Sequence, residues 1–548
     1  MRVLKVLAGS VLALAAVWPA AAQPASAEAA RSAERVKAHI AFLASDLLQG
    51  REAGSPGFDI AANYVASQFA QLGLKPAGAD GGWFQPVPLV AVRPKDEGRY
   101  VLRDRSGART PLVFGEDVLP GRLSSVDDLA VSAPLVFVGF GVVAPERGRD
   151  DYRGLDVKGK IVLVLSGAPS AFQTEERAYY ANARTKRAAA AARGAVGVIS
   201  LSLPSDERRR PFAQGRRTWQ SWSMTWRQAD GTPFDVAPGA PALGSISVAG
   251  AQKLFAGAKK PWADVVAAAE KPGGDPPRFA LPGDLDVTLH AETRTIESAN
   301  VAGMIEGSDP KLKDEVVVLS AHLDHIGVTP PVNGDGINNG ALDNAAGVAT
   351  TLEVARAFVE SGRRPRRSIL FLTVTGEEKG LLGAEYFARN PIAGQGTIVA
   401  NVDLDMPILL YDFTDVVAFG SDRSGVGPAV RRAAARMGVA VSPDPLPEEG
   451  NFTRSDHYRF VEAGVPAVFL MTGFQNGGEA KFRGFLAGCY HRPCDDLNQP
   501  IDYAAGAKFA RLNYEITREL ADLDQRPLWN KGDFFGTKFA RPAAIADH

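Results

Sequence analysis

Apolar positions first recur at helical spacing: Ala61, Val65, Phe69 and Leu72 fall on one stripe and Gly73 follows as a C-cap. Residues 33–74 are therefore predicted as helices. Short β-like pieces rich in Pro and Gly run on to about Leu119. The texture then changes. Leu135-Val-Phe-Val-Gly-Phe-Gly-Val and Lys160-Ile-Val-Leu-Val-Leu read as strands, 186–193 as an Ala-rich helix, and Val196-Gly-Val-Ile-Ser-Leu as a further strand. Trp219, Trp222 and Trp226 fall at helical spacing, which predicts core packing, with a lid over a cleft as the alternative. Gly139-Phe-Gly141 is not a nucleotide loop, because no third glycine opens a helix after it.

From about Ser298 strands and helices alternate. Strands are predicted at 299–305, 316–320, 369–375, 398–405, 416–419 and 467–471. Val348, Leu352, Ala355 and Val359 mark one helix, and Phe509, Leu512, Ile516 and Leu520 a last one. Such alternation predicts an α/β fold with a sheet covered by helices on both faces. The tail from Arg526 reads as irregular, with Trp529, Phe534 and Phe535 as docking points.

Length and composition narrow the reading. A chain of 548 residues exceeds one ordinary core, so two globular units are expected. A formal charge of -1 argues against nucleic acid or an anionic membrane as partner. The basic runs at Arg208-Arg209-Arg210 and around Arg363-Arg364 read as solvated faces. Arg2 and Lys5 precede the apolar run Val6 to Val17, and Ala20-Ala21-Ala22 offers a cleavage site before Gln23. Residues 1–22 are thus predicted as a cleaved signal peptide, and the protein as periplasmic or secreted. No later segment is apolar enough for stable membrane insertion, and the chain gives no indication of oligomeric state. Cys489 and Cys494 bracket Tyr490-His491; export permits a disulfide there, with free thiols or a thiolate ligand as the alternative readings.

Chemistry concentrates at the ends of the later strands. His322 and Asp324 are two apart and share a face of an extended strand, with His325 on the other. His322 is read as a metal ligand, Asp324 as the acceptor that fixes its tautomer, and His325 as a packed or loop histidine without a metal role. Asp343, in a turn feeding a helix, is an N-cap or a carboxylate bridging two ions. Glu377 and Glu378 are adjacent carboxylates that repel unless a cation or proton intervenes. Glu378 is assigned to metal and Glu377 to general-base catalysis. Asp403 and Asp405 share one face of an apolar strand; Asp405, nearer its end, is assigned to metal. His491 completes the set, with Asp495 as its partner, while Ser455-Asp456-His457 is read as loop-organising or site-lining. Mixed imidazole and carboxylate donors suit Zn²⁺.

In order and spacing, His322-Leu-Asp, Gly340-Ala-Leu-Asp-Asn, Glu377-Glu378, Leu404-Asp-Met and His491 resemble the co-catalytic zinc aminopeptidases, a group that takes in aminopeptidase S and the related glutamate carboxypeptidases. The resemblance covers about 33–90 and 290–525. The middle segment, with Gly139-Phe-Gly141 and Asp151-Tyr-Arg-Gly-Leu-Asp-Val-Lys-Gly-Lys, looks like an inserted protease-associated domain. The resemblance implies a mixed sheet between helices and this division: peptidase residues 23–118 and 291–525, a β-rich insert at 119–290, and a tail at 526–548. It also implies two zinc ions per chain, one held by His322, Asp343 and Asp405, the other by Asp343, Glu378 and His491. Some relatives carry a carbonyl-polarising tyrosine where this chain has Phe452.

The expected activity is release of N-terminal residues from peptide substrates, with Glu377 moving the proton. Three other readings stay open: a carboxypeptidase on the same scaffold, a catalytically inactive binding ectodomain, and a zinc cyclase of N-terminal glutamine, which the insert and full two-metal set fit poorly.

Overall fold

The computed structural model describes residues 24–123, 127–392 and 394–547. The signal peptide predicted for residues 1–22 lies outside the described residues.

The helix Pro56–Gln71 shows how local sequence sets an element. The Ser55 hydroxyl accepts the Phe58 amide at 3.2 Å, and Pro56 occupies the first turn, where no amide donor is needed. Gly73 ends it at φ +74°, and the Leu74 amide turns back to the Phe69 carbonyl at 3.1 Å. Ala61, Val65 and Phe69 are fully buried, so the apolar stripe faces the core.

The first sheet is mixed. Its strands run in the order Ser223–Trp226, Phe84–Pro94, the carboxyl part of Phe279–Ile305, Ser368–Val374, Glu315–His322, Thr397–Leu404, Ala467–Thr472, Asp415–Phe419 and Ala440–Ser442. Four neighbours, from Ser368–Val374 to Ala467–Thr472, are parallel, so their carboxyl ends gather on one edge. They read as near-continuous apolar runs because helices cover the sheet on both sides. Pro24–Leu43, Ala346–Glu360 and Tyr503–Asp522 pack together in one group; Leu382–Arg389 and His457–Glu462 pack together in another.

A second sheet holds Arg109–Pro111, Arg99–Arg103, the amino part of Phe279–Ile305, Asp128–Phe137, Ile161–Leu165, Gly197–Leu201, Ala242–Ile246 and Val118–Pro120. One long strand joins the two sheets: His290 pairs with Asp128 in the second, and Ala291 with Pro94 in the first. Among the described residues no helix is long and apolar enough to cross a membrane.

Three expectations need correction. The second sheet starts before residue 119, since Arg99–Arg103 and Arg109–Pro111 already belong to it. These strands are short and partly polar, and in sequence they look like the Pro- and Gly-rich pieces preceding them. Trp219, Trp222 and Trp226 share no helix: Ser223–Trp226 is a strand that returns to the first sheet. Trp226 is buried and stacks on Phe234 at 4.2 Å, while Trp222 lies against the guanidinium groups of Arg93 and Arg294. A turn followed by a strand can space residues by three and four, so periodicity alone misleads here. The tail, expected to be irregular, holds the short helix Phe534–Phe539 and fully buried Trp529 and Phe535. The Trp529 indole N–H donates to the Gly464 carbonyl at 2.9 Å.

Candidate metal centre

His322 is the last residue of its strand. Its Nδ1 lies 3.0 Å from the Asp324 carbonyl oxygen, an acceptor that fixes the proton on Nδ1. Nε2 is left facing Asp405 Oδ1 at 3.1 Å and Asp343 Oδ1 at 3.2 Å. Asp405 follows directly on the strand Thr397–Leu404.

Asp343 sits in the turn that feeds the helix Ala346–Glu360. Gly340 enters that turn at φ +61°, and a Cβ there would lie 2.1 Å from the Asp343 carbonyl oxygen and 2.7 Å from the His325 ring. Only glycine fits. The Asn344 side chain donates to the Leu404 carbonyl at 2.8 Å and accepts the Gly347 amide at 2.9 Å, tying this turn to the loop that carries Asp405.

Glu377 and Glu378 follow Gly376, at φ +66°, after the strand Ser368–Val374. Glu378 lies between two imidazoles: Oε1 is 2.7 Å from His325 Nδ1, and Oε2 is 3.1 Å from His491 Nε2. His491 Nε2 is also 3.2 Å from Asp343 Oδ2. The two Asp343 oxygens thus face different imidazoles. His491 occupies a loop closed by the Cys489–Cys494 disulfide, and its ring lies against Tyr490.

Three acids near the site bind backbone or hydroxyls, which corrects two expected partners. Asp324 fixes the His322 tautomer through its carbonyl. Its carboxylate accepts the amides of Glu377 at 3.0 Å and Glu378 at 3.4 Å, because the strand ends at His322 and the chain turns there. Asp495 does not orient the His491 ring; its oxygens accept the amides of Leu342 at 2.9 Å and Asp343 at 3.0 Å. Asp403 takes the hydroxyls of Ser320 and Ser455, so of the two strand acids only Asp405 faces the site imidazole.

Sequence reasoning missed Arg51 and the placement of His325. Arg51 is buried and donates to the carbonyls of Leu323, Leu43 and Gly340 at 2.8 Å, and also to that of Asn339. Its acceptors are backbone oxygens, which leave no pattern in sequence. Burial lowers its pKa to about 10, although Asp343, Asp495, Asp324 and Glu378 oppose this. His325 did carry a signal, as it stands three residues beyond His322.

The electrostatics favour cations. Burial, with the nearby Asp405 and Glu378, holds the Glu377 carboxyl well above its ordinary range. Burial pushes Asp343 the same way, but His325, His322 and His491 outweigh it and hold Asp343 well below. Despite burial, the surrounding carboxylates, Asp405 foremost, raise His322 well above the usual imidazole range. Asp456 is fully buried, with no hydrogen-bond partner for either oxygen among the described residues, and burial beside Asp403 raises it well above the carboxylate range. Within each donor set, imidazole nitrogen and carboxylate oxygen lie 3.1–3.2 Å apart. Donors about 2.0–2.1 Å from one tetrahedral zinc would be separated by about 3.3–3.4 Å. His322, Asp343 and Asp405 form one metal-type group, and His325, Asp343 and Glu378 a second. The residues fit zinc.

A cavity of about 540 Å³ opens over this centre. Asp343, Glu377, Asp405 and His491 line it together with Leu446, Phe469, Met471, Phe482 and Leu486, and with the charged Glu448, Glu449, Arg454 and Arg483. Phe452 is buried outside it, against Phe535 and the Arg423 guanidinium.

Residues 300–517 match the sequence profile of Peptidase family M28. Leupeptin-inactivating enzyme 1 of Streptomyces exfoliatus is 29% identical over 225 residues, which cover 38% of this chain and 46% of that protein. A probable leucine aminopeptidase 2 of Aspergillus oryzae is 26% identical over 281 residues, covering 49% of this chain and 52% of its own. The chain thus spans about half the length of the curated relatives it matches. An aminopeptidase from Aneurinibacillus sp. strain AM-1 shares the fold, with a TM-score of 0.52 and 20% identity over 91% of this chain and 96% of that one. The stretch that matches the family profile carries the whole donor set.

Proposed function

We propose that this chain is a zinc-dependent aminopeptidase that releases N-terminal residues from peptides, with two zinc ions flanking Asp343. One observation carries the reading: Oδ1 of Asp343 faces His322, and Oδ2 faces His491. His322, Asp343 and Asp405 would hold one ion; Asp343, Glu378 and His491 would hold the other, with His325 closing on Glu378 from behind.

Bound zinc supplies Lewis acidity and a lowered pKa for water. The remaining work falls to the chain's own groups. Glu377 takes a proton from the attacking water and returns it to the leaving amine, a role suited to a carboxyl held above its usual range. The carboxylate-rich floor complements a protonated α-amino group. Leu446, Phe469, Met471 and Phe482 in the cavity lining support a preference for large apolar N-terminal side chains.

The test offers zinc-loaded protein two dipeptides, Leu-Ala amide and N-acetyl-Leu-Ala with a free carboxylate, with and without chelator. Cleavage of the amide alone, abolished by chelator, is expected. Cleavage of the acetylated acid alone would turn the reading to a carboxypeptidase, for which the cations Arg184, Lys379 and Arg454 near Glu377 would be the supporting observation.

The same reading takes the second sheet as a protease-associated domain and the leader as an export signal to the periplasm or medium. Sequencing the native amino terminus tests export: a start near Gln23 is expected, and an intact Met1 contradicts it.

A further inference from the structure

A second cavity, of about 510 Å³, meets the first at Glu377. Glu377, Arg454 and Tyr490 line both, so they mark the divide between them. The two differ in chemistry. Beyond the divide the first is walled by Leu446, Phe469 and Phe482, while the second is lined by Lys379, Arg184 and Arg459. Its far wall comes from the inserted segment, through Asn182 and the strand residues Met224 and Thr225.

Most of these cations already have partners. Arg184 pairs with buried Glu385, Arg459 with Glu462 at 2.6 Å, and Lys379 with Glu52 at 2.8 Å. Arg454 differs. Its acid is Glu449 at 3.6 Å, and the two side chains are 54% and 55% exposed. An exposed pair at that separation contributes little and yields readily to a better acceptor. A guanidinium fork matches a carboxylate with two parallel hydrogen bonds. Arg454 also stands at the divide, beside the general base. Arg454 lines the same divide as Glu377, so a carboxylate that meets it there belongs to a short leaving fragment, at about 3.3–3.6 Å of chain per residue.

We infer that the second cavity recognises the C-terminal carboxylate of the leaving fragment, with Arg454 as the recognising cation, so that dipeptides and tripeptides bearing a free carboxylate are the preferred substrates. This rests on the aminopeptidase reading above. It gives the insert a part in selection, since Asn182, Arg184, Met224 and Thr225 line the cavity that the leaving fragment would enter.

The test compares kcat/KM for Leu-Ala, Leu-Ala amide and a Leu-Ala pentapeptide, using the zinc-loaded full chain and its Arg454→Gln and Arg454→Lys variants. Wild type should favour the free acid over the amide by about tenfold or more, as a charge-assisted hydrogen bond allows, and should disfavour the pentapeptide. Arg454→Gln should bring the acid-to-amide ratio near one, and Arg454→Lys should restore part of it. A wild-type ratio near one, or a ratio that survives Arg454→Gln, overturns the inference while the aminopeptidase reading stands. No turnover of any of the three by zinc-loaded wild type overturns that reading, and this inference with it.

Discussion

Both sheets gather the carboxyl ends of parallel strands on one edge, and the two edges are finished differently. On the first, His322, Glu377, Glu378 and Asp405 follow successive strands, and carboxylates outnumber the cations nearby. On the second, the strand Ile161–Leu165 ends under the buried Lys186, whose ammonium donates to the carbonyls of Leu165 and Gly167. That edge satisfies itself with its own amine. The first does not, because Asp343, Glu378 and Asp405, the acids at the centre of the site, meet only imidazoles with their side chains. Two similar scaffolds therefore differ in how the carboxyl edge is satisfied, and among the described residues only the first brings metal-type donor groups together.

The sharpest way to break the contrast is at Glu377. Glu377→Gln should bind zinc as wild type does yet lose about 10²–10⁴-fold in turnover, the range typical of a general base. Steady-state kinetics alongside metal analysis checks this, and a loss under tenfold would remove Glu377 from the mechanism.

Arg51→Met comes next. Several buried carbonyls would lose donors at about 1–3 kcal/mol each, loosening the turn that holds Asp343. Lower thermal stability of the metal-free protein and weaker zinc binding are expected; unchanged values in both would make Arg51 dispensable. Replacing Cys489 and Cys494 with serine should matter less. Closing so short a loop contributes about 2 kcal/mol at most in the chain-entropy picture. The loss should show as weaker binding of one of the two ions, measured by calorimetric titration, with the other unaffected.

The smallest effect on turnover is expected on the opposite edge. Burial lowers Lys186 to about 7, against 10.5 for an ordinary lysine. Between those values the unfolded chain binds more protons than the folded one, so wild-type stability should rise with pH from about 7 to about 10.5. Lys186→Met should flatten that slope and leave kcat/KM nearly unchanged. Denaturant melts across this pH range decide it; an unaltered slope would mean that Lys186 keeps its proton when buried.

What the sequence revealed follows the same division. Asp343 and His491 lie in loops and are read from the company of the other donors. His322, Glu378 and Asp405 instead carry a local signal, a ligating side chain at or just beyond the end of an apolar strand. The strands from 299 onward were legible for the same reason. The acids that hold backbone were misread because their partners are amides from distant turns: Asp495 reaches Leu342 and Asp343, and Asp324 reaches Glu377 and Glu378. Arg51 was invisible, since carbonyl oxygens carry no residue identity. The early edge of the second sheet and the tryptophan spacing failed because short strands and turns imitate loops and helices over a few residues.

The central claim is that Asp343 stands between two cations. Crystals of zinc-loaded protein, measured above and below the zinc absorption edge, test it most directly. The account predicts two anomalous peaks, one beside His322 and Asp405 and the other beside Glu378 and His491, with a carboxylate oxygen of Asp343 toward each. A single peak, or peaks away from Asp343, would contradict it.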